Sequence, residues 1–195
     1  PITASKAAET FSFAVDSAPL MVLFDKGGNI FKTANFQKEP KEWIYQLKNA
    51  TEFADRADAA VALGKIKNDA AVAAALSEAV LSDGFWALRA TAADSLADLG
   101  GPTAAKSFFV ALDHVTEPWL RARIVNALGR IRGEPAVSER LEAFARDDRS
   151  FRARSAALQA IGRLKAPNAF ATLNAAVSAD SPDNFLRNSA LRALG

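Results

Sequence analysis

The stretch Asp55-Arg56-Ala57-Asp58-Ala59-Ala60-Val61-Ala62-Leu63-Gly64 decides the fold, because weakened copies of it recur along the chain. With Arg56 as origin, the frame is an arginine, a small or apolar pair three and four residues on, Leu or Ile at the seventh, and an apolar residue at the tenth. Arg89 brings Ala92, Ala93, Leu96 and Leu99, and Arg121 brings Ile124, Val125, Leu128, Gly129 and Ile131. Arg154 is followed by Ala157, Leu158, Ile161, Gly162 and Leu164, and Arg187 by Ala190, Leu191, Leu194 and Gly195. Successive origins lie 33, 32, 33 and 33 residues apart. A period of this size means a solenoid, in which each unit buries its apolar face against its neighbours.

Composition narrows the function classes. Half of the 195 residues are hydrophobic, yet no apolar run approaches the length of a membrane span. There is no cysteine, which excludes disulfides, thiol catalysis and cysteine metal sites and fits either redox compartment. No signal peptide is legible from Pro1, and the chain closes at Gly195 in mid-repeat, so both ends read as cuts in a longer protein. The net charge of +2 implies no polyanionic partner, but it is unevenly spread. Residues 51–116 carry 5 basic and 9 acidic side chains (net −4), whereas residues 117–165 carry 11 and 6 (net +5). Such a basic middle can draw in phosphate or an acidic partner surface. The plainer reading is that Arg121, Arg154 and their counterparts hold repeat positions and bond between helices.

Ahead of the repeats, Thr10-Phe11-Ser12-Phe13-Ala14-Val15 alternates polar and apolar as a half-buried strand does. A second strand is expected over 20–24. A turn at Asp25-Lys26-Gly27-Gly28-Asn29 follows, with both glycines free for positive φ, and then a return strand over 30–33. Three short strands need a larger sheet to join. Pro40 opens a helix over 41–49. Arginine-led A helices are then predicted over 53–66, 85–99, 118–131, 150–164 and 183–194. They alternate with B helices over 69–81, 102–114, 135–146 and 168–178, the B helices being expected to line the concave face. Breaks fall at Gly100-Gly101-Pro102, Gly133-Glu134-Pro135 and Ala166-Pro167-Asn168, and Asp83, Asp147-Asp148 and Asp180-Ser181 are expected to cap the A helices. An aromatic precedes each repeat arginine (Phe53, Trp86, Trp119, Phe151, Phe185), a phase expected to pack between repeats.

The repeats from about residue 51 onward resemble HEAT repeats, which implies a mainly α, HEAT-like superhelix preceded by a few strands. A second likeness covers residues 11–66. Ala18-Pro19-Leu20-Met21-Val22-Leu23-Phe24-Asp25-Lys26-Gly27-Gly28-Asn29-Ile30-Phe31-Lys32 resembles the closing strands of the β-sandwich in zinc aminopeptidases of the aminopeptidase N family, where a strand ends in aspartate and returns to a lysine. Glu42-Trp43-Ile44-Tyr45-Gln46-Leu47 and the Arg56 helix are similar to the start of that family's C-terminal helical region. The resemblance implies residues 1–38 as terminal strands of a β-sandwich domain and 39–195 as a HEAT-like solenoid of about five repeats, the last one truncated. It also implies a non-catalytic C-terminal region that shapes peptide access to an upstream zinc site. The partners would be the upstream catalytic and β-sandwich domains and the parent's peptide substrates, with no nucleic acid. The other reading is a stand-alone interaction scaffold.

No residue of this chain is assigned a catalytic, cofactor-binding or metal role. The family's His-Glu-x-x-His motif, third zinc ligand and Gly-x-Met-Glu-Asn-type loop are not in this sequence, and His114 is its single histidine. One imidazole cannot hold a three-ligand catalytic zinc, so zinc is expected only in the upstream domain. Asp55, Asp58, Asp147 and Asp148 are expected in caps and exposed turns. Leu63, Leu96, Leu128, Ile161 and Leu194 are expected in one continuous core.

Overall fold

A computed structural model describes residues 5–195, so the first four residues of the expected 1–38 unit lie outside the described residues. Ten α-helices follow one another among them. Five are arginine-led: α2 (Phe53–Leu63), α4 (Trp86–Leu99), α6 (Pro118–Leu128), α8 (Phe151–Leu164) and α10 (Phe185–Leu194). Their partners are α1 (Pro40–Asn49), α3 (Ala70–Ser82), α5 (Gly101–His114), α7 (Pro135–Asp147) and α9 (Ala169–Val177). Prolines sit at the first turns of α1, α5, α6 and α7, where no intrahelical donor is lost. Asp69 caps α3 by accepting from Ala71 and Val72, and Ser150 caps α8 by accepting from Ala153 N. Asp83 and Asp148 stand just before the caps and accept from Phe85 N and Ser150 N, each at 2.8 Å.

The apolar positions of the repeat form one continuous core. Leu63, Leu96, Leu128 and Ile161 are all fully buried, as are Leu88, Leu120 and Leu158 nearer the starts of their helices. Leu194 departs from that expectation at 40% exposure, because no described element stacks on α10 where α10 itself stacks on α8.

The arginine-led helices approach one another through small residues. The eighth residue after the repeat arginine meets the sixth of the next unit. A Cβ on Gly64 would come within 2.9 Å of Ser95 Cβ, on Gly129 within 2.3 Å of Ala160 Cβ, and on Gly162 within 2.6 Å of the Ala193 carbonyl. The partner helices pack along α3 and α5 but diverge from there on: α5 and α7 barely meet, and α7 touches α9 only locally. Arg140 fills the α5–α7 gap, its guanidinium 5.9 Å from the Phe109 ring and 5.3 Å from that of Phe144, with Asp113 as ion partner. The closer layer of a bent stack lies on the inside of the bend. The inner face therefore belongs to the arginine-led helices, not to the B helices as expected.

The strands expected over 10–15, 20–24 and 30–33 do not form: no strand occurs among the described residues. Strand geometry needs a partner ladder, and no described segment offers these backbones one. The period-two pattern is nonetheless expressed, with Met21, Leu23 and Asp25 half-buried and Val22 and Phe24 exposed. The turn takes its expected shape, with φ of 81° at Gly27 and 69° at Gly28. Asp25 accepts from Asn29 N and Ile30 N and pairs with Lys32. The Lys32 hydrogen bond, then that from Ile30, lowers the Asp25 pKa from 3.8 to about 2.

Replacing Leu128 by Ala is expected to cost about 2–5 kcal/mol in urea unfolding, since the hole lies between central units. Gly129→Ala should cost about 1–3 kcal/mol through overpacking against Ala160. Gly84→Ala, with nothing within 4 Å of the new Cβ, should leave the midpoint essentially unchanged. The Asp25 turn follows a definite pH sign. A carboxyl with a depressed folded pKa stabilises above its unfolded value, and the contribution fades as pH falls from about 4 toward 2. Asp25→Asn should remove that portion of the acid dependence, read by the fluorescence of Trp43, which lines the same cleft as Phe24 and Ile30 on either side of the turn.

Candidate functional site

Two populations of arginine are distinguished by where their guanidinium groups go. The first closes the repeat. Arg89 Nε donates to Val80 O at 2.9 Å, Arg154 Nε to Ala145 O at 3.0 Å and Arg187 Nε to Val177 O at 2.8 Å, each a carbonyl near the C-terminus of the preceding partner helix. Arg121 donates to Leu112 O and Val115 O and pairs bidentately with Asp148. Arg56 pairs with Asp83, also 27 residues downstream. A cation at these carbonyls complements the negative end of the helix dipole. The expectation that these arginines bond between helices holds. Asp55 and Asp148, expected in caps and exposed turns, have enclosed side chains instead of exposed ones, although Asp148 does sit in the turn ahead of the α8 cap. Asp148 neutralises Arg121, and Asp55 accepts from Gly27 N at 3.2 Å.

The second population faces outward from the inner layer. The fifth residues after the repeat arginines are Val61, Asp94, Asn126, Gln159 and Arg192, and the ninth residues are Lys65, Asp98, Arg130 and Arg163. On the central rungs these side chains compensate one another. Arg123 pairs with Asp94, and Arg130 with both Asp94 and Asp98. On the next rung Asn126 stands where Asp94 stood, and Arg163 donates to its Oδ1 at 3.2 Å. Burial first, then the neighbouring charge of Arg130, pushes the Arg163 pKa down. A groove of about 410 Å³ between α8 and α10 is lined by Gln159, Gly162, Arg163, Arg192 and Ala193.

At the opposite end, a cleft of about 1110 Å³ lies between residues 22–39 and the helices α1 and α2. Lys38 spans it. Its ammonium donates to Val22 O and Gln46 Oε1 and stands 4.7 Å from the Phe36 ring centre and 4.6 Å from that of Trp43. Burial lowers the Lys38 pKa against the opposing pull of Glu42, Asp55 and Asp58.

The aromatics before the repeat arginines pack between units only at their edges. Phe53 meets Phe85 edge-on at 5.0 Å, while Trp86 is 54% and Trp119 63% exposed. Arg152 of the following unit lies 3.7 Å over the Trp119 ring. His114 ends α5 at the surface beside Asp113, which is engaged by Arg140. The described residues hold no group of three or more His, Cys, Asp or Glu that could bind a metal ion, and no helix among them is long and apolar enough to cross a membrane.

Two overlapping matches to the family model for HEAT repeats cover residues 40–114 and 73–162. The chain belongs to the HEAT-repeat family. Among solved structures, the complex of CpcE and CpcF of phycocyanin lyase from Nostoc sp. PCC7120 superposes with a TM-score of 0.61 at 21% identity, over 85% of this chain and 67% of that one. At that identity the likeness is one of fold. No curated protein matches. The HEAT-repeat solenoid is a helical scaffold.

The two populations of arginine predict different stabilities. Arg121→Ala leaves the Asp148 charge buried and unpaired and should cost about 3–5 kcal/mol. Arg123→Ala breaks an exposed pair and should cost at most about 1 kcal/mol. Chemical unfolding of the two variants side by side checks the order.

Proposed function

We propose that the chain is the non-catalytic C-terminal region of a larger aminopeptidase N-like zinc metallopeptidase, with residues 1–38 belonging to the end of its β-sandwich and 39–195 to its helical region. The observation that carries the reading is the joint between residues 20–38 and the first unit. Asp25 turns back to Lys32, as the resemblance implies, Gly27 N is held by Asp55 of α2, and Lys38 ties Val22 to Gln46 of α1. Such a joint sets the direction in which the solenoid leaves whatever domain continues the extended segment. Phe11, Phe13, Val15, Val22, Phe24 and Phe31 are exposed, and an upstream sheet would cover them by pairing with these backbones. The inner face of the solenoid would then form the wall past which long peptides approach the catalytic zinc. A second reading, a free-standing protein-interaction scaffold, is favoured by the uncompensated arginines at the far end of that face.

His114, as the sequence's one histidine, cannot supply a three-ligand zinc site, so the zinc belongs to upstream sequence in this reading. The 195-residue chain alone is expected to bind no stoichiometric zinc in calorimetry and to release no fluorophore from aminoacyl-amide substrates. A longer chain carrying a His-Glu-x-x-His segment upstream should do both. Deleting residues 51–195 from it should change its preference for peptide length more than its rate on single-residue substrates, because a distal wall touches only long peptides. Equal loss on both substrate classes, or tight zinc binding by the short chain, would overturn the reading.

A further inference from the structure

We propose that the inner face of the last three arginine-led helices carries an oxyanion seat, formed by Arg163 and Arg192 across Gln159, that receives carboxylate side chains from an acidic segment of a protein partner. The argument rests on what the chain does one rung earlier. There the outward arginines Arg123 and Arg130 are answered by Asp94 and Asp98 of α4. The register then continues while the acids stop. Asn126 and Gln159 occupy the next two positions of the Asp94 column, and Arg130 and Arg163 the next two of the Asp98 column. Each replacement exchanges a carboxylate for a neutral amide or for a cation. Among the described residues neither Arg163 nor Arg192 has a carboxylate within 4 Å.

The space for a ligand is present. Gly162 and Ala193 give the α8–α10 groove a floor without long side chains, and Arg163 and Arg192 line it, the Arg163 guanidinium being held toward α6 by Asn126. Arg163 reaches toward Gly129, its Nη2 3.5 Å from where a Cβ would sit, an ordinary contact distance. The carboxylate assignment also comes from the chain. Asp94 already shows an aspartate seated between two arginines in this register, and an incoming acidic side chain on the next rungs reproduces that geometry. Arg130, though paired, adds its field to the same side, as its effect on Arg163 shows. Every group of the seat lies within residues 126–193, so it stands or falls independently of any upstream catalytic domain.

The test uses fluorescein-labelled hexaglutamate and the 195-residue chain, read by fluorescence anisotropy. Saturable binding that weakens as salt rises is expected. The double variant Arg163→Ala/Arg192→Ala should weaken it by at least about tenfold, and Arg123→Ala, on the compensated rungs, should change it less than about twofold. Gln159→Glu is the sharper variant: it places an internal carboxylate in the seat, and binding should fall by a similar factor while the melting temperature holds or rises. Hexaglutamate binding equally well to Gln159→Glu, or showing no saturation with the wild-type chain, overturns the proposal. Inorganic phosphate displacing the peptide at equal or lower concentration overturns the carboxylate assignment and points to a phosphorylated ligand instead.

Discussion

The structure depends on a guanidinium group placed at the end of another helix. A two-helix unit leaves the last carbonyls of its first helix without intrahelical donors, and water must be excluded there for the next unit to stack. Arg89, Arg121, Arg154 and Arg187 resolve the conflict by reaching back nine or ten residues to those carbonyls. The charge brought in for this purpose then needs its own partner. At Arg56 and Arg121 that is an aspartate 27 residues ahead, at the entrance to the next arginine-led helix. One side chain thus links the end of one helix, its own helix and the start of the next unit. The repeat is therefore periodic in its polar groups as well as in its leucines.

Packing between the arginine-led helices obeys a second, steric rule. Gly64, Gly129 and Gly162 remove a side chain where Ser95, Ala160 and Ala193 arrive, and this close approach sets the spacing of the inner face. Side chains on that face are presented at the repeat distance, on helices rather than on loops. Their chemistry varies freely because the core does not touch them. The run from Asp94 through Asn126 and Gln159 to Arg192 is one position of the repeat, changed in charge while the buried frame stays constant.

Much of this was legible in the sequence. The 32–33-residue period located every arginine-led helix to within a few residues, and prolines at 40, 102 and 135 marked helix starts correctly. The start of α10 was less clear, since Pro182–Asn184 forms a short 3-10 turn before the helix proper. The strands over 10–33 were misread for a physical reason: alternation records which side of a segment will be covered, whereas a ladder requires another backbone beside it. The burial of Asp55 and Asp148 was missed because local pattern gives no hint of a partner 27 or 28 residues distant. The recurrence of the Arg-to-Asp interval at 56–83 and 121–148 was the available signal. The groove beside Arg163 was hidden for a related reason, since a missing carboxylate becomes visible only when rungs are laid side by side.

The divergence of α5 from α7 gives the molecule a mechanical asymmetry. The inner layer is close-packed on glycine, alanine and serine and resists compression as any dense interior does. The outer layer is interrupted where Arg140 lies between Phe109 and Phe144, a contact made by one long, flexible stem. Bending the solenoid therefore opens or closes this outer seam while the inner rungs act as the neutral axis and keep their spacing. Were the stack to bend, anything seated on the inner face would meet an unchanged ruler.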